Sequence, residues 1–156
     1  MIVGCIAVHD GCILLCKRAI EPRRGYWTLP AGFLELGESA VQGAVRETAE
    51  EAGAQVSVIA PYAHFDVPHI GQAYILYRAA LRSPSLAPGP ESLEAALLPP
   101  AAIPWREIAF PAVRVALELI EQDLASGRFR CHQGVLVREH DGFALRDHLQ
   151  VSLAQP

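Results

Sequence analysis

The chain has 156 residues, 51% of them hydrophobic and 19% charged, enough apolar material for one domain with a buried core. A formal net charge of −4 without any basic run lacks the electrostatic footprint of nucleic-acid binding, so no DNA or RNA polymer is expected as a partner. The apolar start MIVGCIAVHDG has no positive residue ahead of it and runs into Asp10, which makes a poor signal peptide and is too short to span a bilayer; a cytoplasmic protein with no membrane partner is expected.

Ile2 to Val8 and Cys12 to Cys16 are short apolar runs around His9-Asp10-Gly11, and Asp-Gly is a turn signal, so the chain opens with a β-hairpin. Pro22 to Gly25 breaks the pattern, and Tyr26 to Leu29 resumes it before Pro30-Ala31-Gly32. A loop and one helix follow, with Gly53 suited to the helix C-cap. Gln55 to Ala60, Ala63 to Val67 and Gln72 to Leu81 read as strands, and Arg82 to Glu91, rich in Pro, as a loop. Glu94 to Leu98 fits a strand or a helical turn equally. Phe110 to Leu124 is a helix, because Val113, Leu117, Ile120 and Leu124 recur at helical spacing behind Pro111. Strands and two helices in this order predict an α+β domain over residues 1–124 rather than repeating βαβ units. Residues 125–156 form a tail of different character, open to a further hairpin around His140-Asp141-Gly142 or to a mostly disordered end. Cys5, Cys12, Cys16 and Cys131 form no C-x-x-C pair, and three lie in strand-like apolar runs, which predicts buried reduced thiols.

The chemistry concentrates between Gly32 and Ala54, GFLELGESAVQGAVRETAEEAGA. On a helix Glu47, Glu50 and Glu51 project together, while Val41, Ala44, Val45, Thr48 and Ala52 fall on the neighbouring face. Like charges at this spacing repel by a few tenths of a kcal/mol per pair, so three of them with no Lys on the face point to a bound cation. A merely solvated acidic face is the alternative. The order Gly32, Glu38, Arg46-Glu47, Glu50-Glu51, Gly53 resembles the signature of the Nudix hydrolase family at every charged and glycine position. Thr48 and Ala54 depart from the bulkier aliphatic residues usual there and face the expected core.

The resemblance spans about Val3 to Leu124 and implies a mixed β-sheet packed between helices. Carboxylate oxygens suit a hard cation, Mg²⁺ or Mn²⁺, rather than zinc. Such ions neutralise a diphosphate and activate a water, which makes the reaction class phosphoanhydride hydrolysis. By resemblance, Glu47 and Glu51 are the principal metal ligands, Glu50 assists through a second ion, and the Ala31 carbonyl completes the shell. Glu38 and Arg46 pair and orient the ligands, the alternative for Arg46 being a plain surface ion pair. The general base is expected from a distant loop, with Glu94 favoured over Glu91 and solvated acids as the alternative for both.

The segments CKRAI, GYWTLPAGFLELGES, PHIGQAYILYRA, PGPESLE and IPWREIAF are similar to the family branch that hydrolyses ADP-ribose and FAD. A ligand of that kind, a small-molecule nucleotide, needs aromatic faces for its ring and cations for its phosphates. Trp27 and Tyr26 are the stacking candidates, with core packing an equal alternative for Trp27. Arg18, Arg23 and Arg24 are the phosphate candidates. Gln72 and Tyr74 are placed at the pocket rim, Tyr74 with strand packing as its alternative. His64 and His69 are expected to be structural or exposed. The expected reaction releases AMP; a triphosphate pyrophosphohydrolase and a non-catalytic nucleotide sensor are the competing readings. A homodimer is implied by the resemblance alone.

Overall fold

The computed structural model describes residues 1–152. Its elements in chain order are β1 (Ile2–His9), β2 (Cys12–Arg18), β3 (Trp27–Thr28), β4 (Ala31–Phe33), α1 (Ala40–Ala52), β5 (Val56–Val67), β6 (Gln72–Leu81), β7 (Ser92–Leu98), α2 (Pro111–Ser126), β8 (Arg130–Glu139) and β9 (Gly142–Ser152). Asp10 and Gly11 both take left-handed angles, φ 47 and 75, so the first turn twists with its strands and closes β1 onto β2. Among the described residues all strands join one mixed sheet, β3-β2-β1-β6-β5-β8-β9, with β4 added to β1 and β7 to β2. β1 runs parallel to β6, and β5 parallel to β8.

Strand alternation splits the apolar residues between two faces. Val3, Cys5 and Ala7 of β1 with Leu14 and Cys16 of β2 pack towards Ala44 and Ala52 of α1. Ile6, Ile13 and Leu15 point the other way, towards Val113, Ala116, Leu117 and Ile120 of α2. Burying each such aliphatic side chain stabilises by about 1.5–3 kcal/mol, so the two helices are held chiefly by these contacts. Thr48 and Ala54 are buried as expected, Thr48 Oγ1 donating to the Ala44 carbonyl at 2.7 Å. Val41 is not on the packed face; it is exposed at the first turn of α1. All four cysteines are free thiols, and burial pushes Cys5 upward and Cys16 up to about 12, so neither ionises at neutral pH.

Two expected strands prove to be one. β5 runs unbroken through Pro61, because register shifts on either side of it absorb the proline's missing donor. The undecided segment at Glu94 is a strand, β7, pairing antiparallel with β2. Beyond Leu124, β8 and β9 form a hairpin that extends the sheet and sends Leu136 into the core. Residues 153–156 of the predicted tail lie outside the described residues. Among the described residues no helix is long and apolar enough to cross a membrane.

Candidate active site

Helix α1 is started and stopped by its own sequence. Ser39 Oγ accepts from the Gln42 amide while the Gln42 side chain accepts from the Ser39 amide, and Gly53, at φ 61, donates back to the Ala49 carbonyl. Two of the remaining C-terminal carbonyls are taken by the loop after β6: Ala87 N–H donates to Ala52 at 2.8 Å and Gly89 N–H to Glu51 at 3.2 Å. A Cβ on Gly89 would overlap the Glu50 carbonyl, so only glycine permits this approach. The loop thereby carries Glu91 to the acidic face of α1. Glu91 is anchored in turn, its carbonyl accepting from Ala19 N–H at 2.8 Å.

Arg46 ties the acidic cluster together. Its Nε and Nη2 donate to both Glu38 oxygens at 3.0 and 2.7 Å, its Nη1 to Glu47 at 2.7 Å and Glu50 at 3.0 Å, and Nη2 also reaches the Phe33 carbonyl at 3.2 Å. These bonds hold the Glu38 carboxyl down at about 2 and raise Arg46 above its ordinary value. The expected Glu38–Arg46 pair is therefore present, and Arg46 also holds two of the carboxylates expected to bind metal.

Glu51 is different: it is 7% exposed, and among the described residues the hydrogen bond to its carboxylate is the one from Ala31 N–H at 3.1 Å. Burial, opposed by that bond and reinforced by Glu47, pushes its carboxyl up to about 7. Burial likewise raises Glu47 despite Arg46. A Cβ on Gly32 would collide with the Glu47 carboxylate, so β4 lies flush against it.

Glu47, Glu51 and Glu91 line a cavity of about 430 Å³ with Arg18, Gln72, Tyr74, Phe33, Phe110 and Val113. Acidic groups dominate an adjoining hollow of about 490 Å³, which Glu35, Glu47, Glu50, Glu51 and Glu91 line with Arg46. Among the described residues no three acidic, His or Cys side chains already converge at metal-ligand spacing. The donor chemistry nonetheless fits a hard cation. Glu51 is a buried carboxylate without a cationic side chain bonded to it, and crowding with Glu47 and Glu91 is the situation a divalent ion relieves.

Of the residues singled out in the sequence, Ala31, Glu38, Arg46, Glu47, Glu50 and Glu51 gather here, and Arg18 and Gln72 line the same cavity. Arg18 donates to the Pro22 carbonyl at 2.8 Å and lies 5.0 Å from the Phe110 ring centre. Five are not brought in, two of which, Tyr26 and Arg23, line a separate cleft at the start of α2. Glu94 sits exposed on β7 opposite Lys17 and lines neither cavity. Glu91, the acid ranked behind it, reaches the cavity instead. Trp27 is 8% exposed and packs in the α2-side core, the outcome of an apolar residue on a short buried strand. Arg24 is exposed and lines neither cavity. Phe110, at the start of α2, is a wall residue the sequence did not single out; its aromatic character next to Pro111 was the available signal.

A family model described as NUDIX domain matches residues 1–118. The crystal structure of a NUDIX hydrolase from Nitrosomonas europaea is 48% identical, with a TM-score of 0.84 over 86% of this chain and 76% of that one. An ADP-ribose pyrophosphatase of Methanocaldococcus jannaschii is 48% identical over 48 residues, 31% of this chain and 28% of that protein. An NAD-capped RNA hydrolase of Schizosaccharomyces pombe is 40% identical over 62 residues, 40% of this chain and 16% of that protein. The matched stretches thus span less than a third of the length of these curated relatives. With the model matching more than half of its residues and its carboxylates gathered on α1 beside a cavity, the chain belongs to the NUDIX family of hydrolases.

Proposed function

We propose that this enzyme hydrolyses the diphosphate linkage of a nucleoside diphosphate joined to another moiety, of the ADP-ribose or FAD type, with Mg²⁺ or Mn²⁺, releasing AMP. The observation that carries it is Glu51, a buried carboxylate crowded by Glu47 at the wall of a cavity that also offers Arg18, Gln72, Tyr74 and Phe110. Support for the substrate class comes from the short match to a protein named ADP-ribose pyrophosphatase.

In this reading Glu47, Glu51 and the Ala31 carbonyl would hold the ion, with Glu50 beside them. When bound it neutralises the diphosphate and acidifies a water. Arg46 keeps Glu47 and Glu50 in place through its bonds and Glu38 steadies Arg46. Glu91 takes the proton as the water oxygen attacks phosphorus and the anhydride P–O bond breaks. Tyr74 and Phe110 offer ring faces to the base, and Arg18 offers its guanidinium to phosphate.

The test is product analysis with Mg²⁺ on ADP-ribose, FAD, diadenosine polyphosphates and nucleoside triphosphates, with Glu51→Gln alongside. AMP from ADP-ribose or FAD, absent in a folded Glu51→Gln, is the expected outcome. Pyrophosphate from a triphosphate would keep the carboxylate site and replace the substrate assignment.

A further inference from the structure

A second cleft, of about 600 Å³, opens at the start of α2 and shares Phe110 with the catalytic cavity. Its size falls within the roughly 300–1,000 Å³ common for small-molecule sites. Three guanidiniums, of Arg23, Arg106 and Arg114, and three rings, of Tyr26, Phe110 and Phe143, line it. Two acids line it as well. Glu118 is occupied by Arg114 Nε at 3.0 Å, and Asp141 lies in the turn between β8 and β9. Arg114 is spent on Glu118 and on the Trp105 carbonyl, at 2.9 Å from Nη1. Arg23 and Arg106 are exposed, and among the described residues neither forms an ion pair.

Arg23 is also held at φ 66, a left-handed backbone that a side chain of this size seldom takes, with its guanidinium 5.4 Å from the Tyr26 ring centre. The far wall, Asp141 to Phe143, lies beyond residues 1–118, so the cleft is partly built by a hairpin outside the matched family region.

We propose that this cleft is a second nucleotide site, with Tyr26 and Phe143 taking the base and Arg23 and Arg106 the phosphate. The nucleotide is either the far end of a long substrate whose diphosphate lies in the catalytic cavity, or a free nucleotide. Only the first of these rests on the function proposed above.

AMP titrated into isotope-labelled protein, read by NMR, tests the site. Saturable shifts are expected at the amides of Arg106, Gly142 and Phe143, about tenfold weaker in affinity with adenosine or in Arg106→Glu. Shifts confined to the catalytic cavity, or an affinity unchanged in both Arg106→Glu and Arg23→Ala, would overturn it. A companion kinetic arm separates the two sources. A KM rise in Arg106→Glu at least tenfold larger for diadenosine tetraphosphate than for ADP-ribose assigns the cleft to the far end of a substrate. Equal effects, with AMP still bound at the cleft, assign it to a free nucleotide. Hydrolysis of neither compound would remove the proposed function while the AMP arm still decides the cleft.

Discussion

Arg46 is the residue on which the acidic cluster depends, since a single guanidinium fork spans Glu38, Glu47 and Glu50. A lysine keeps the charge but presents a point donor that cannot bridge three carboxylates. Arg46→Lys is therefore expected to lower kcat by about 10–100-fold, the usual effect of removing a group that orients ligands. An unchanged kcat would show that the bridging geometry is not used. The two candidate bases separate in the same assay. Glu91→Gln, at the cavity wall, should cut turnover by about 10²–10⁴-fold with metal affinity nearly kept, and Glu94→Gln, facing Lys17, should leave turnover near wild type. A reversed ranking would return the role to Glu94.

At the scale of elements, the acidic helix and the loop that caps it act as one unit. Because a Cβ at Gly89 meets the Glu50 carbonyl, Gly89→Ala should push the loop off the end of α1. A cost of about 1–3 kcal/mol in thermal unfolding is expected, with a fall in kcat larger than that of an exposed loop substitution. The acidic spacing on α1, its Gly53 cap and the amphipathic pattern of α2 were legible in the sequence because each is local. What was not legible depends on pairing between distant segments. Pro61 looked like a strand end, yet bulges opposite Tyr77 carry β5 through it. Glu94 reads as nearer to the chemistry than Glu91, but the register with β2 sets it opposite Lys17, outside the cavity that Glu91 lines. Trp27 offered stacking or packing on equal terms, and the position of α2 decided for packing.

Across the whole molecule, β8 and β9 are locked to the body by a buried polar chain. Asp123 of α2 accepts from Tyr62 at 3.2 Å and from Arg130 Nε and Nη2 at 3.2 and 2.9 Å; His132 Nε2 lies 3.2 Å from the same carboxylate, and His132 Nδ1 lies 3.1 Å from His148 Nε2. Asp123→Ala leaves Arg130 and His132 without their carboxylate and should cost about 3 kcal/mol by urea unfolding. A loss below half that would mean the hairpin is held by Leu136 and the strand pairing alone. Burial lowers His132 below its ordinary 6.5 despite Asp123. The unfolded chain therefore binds a proton that the folded chain refuses, so the stability from this residue is present above about 6.5 and is lost as pH falls below it. Asp123 adds to the same trend at lower pH: burial alone would raise it, but the bonds from Arg130 and His132 outweigh that and hold it down. The check is the urea midpoint of wild type minus that of His132→Gln between pH 7.5 and 5; a difference that does not shrink would refute the sign.

The parallel pairing of β1 with β6 has a consequence for biosynthesis. Ile2 finds its partner at Tyr74, so the acidic helix leaves the ribosome well before the central strand beneath it has its second neighbour. Such non-local pairing is slow to form, and until it does the apolar edge of β1 is open to other chains. A fragment ending at Gln55, which contains the whole acidic signature, is expected to lack the cooperative unfolding transition of the full chain in circular dichroism and to associate at micromolar concentration. A cooperative, monomeric fragment would place the folding nucleus in the first hairpin and α1 instead.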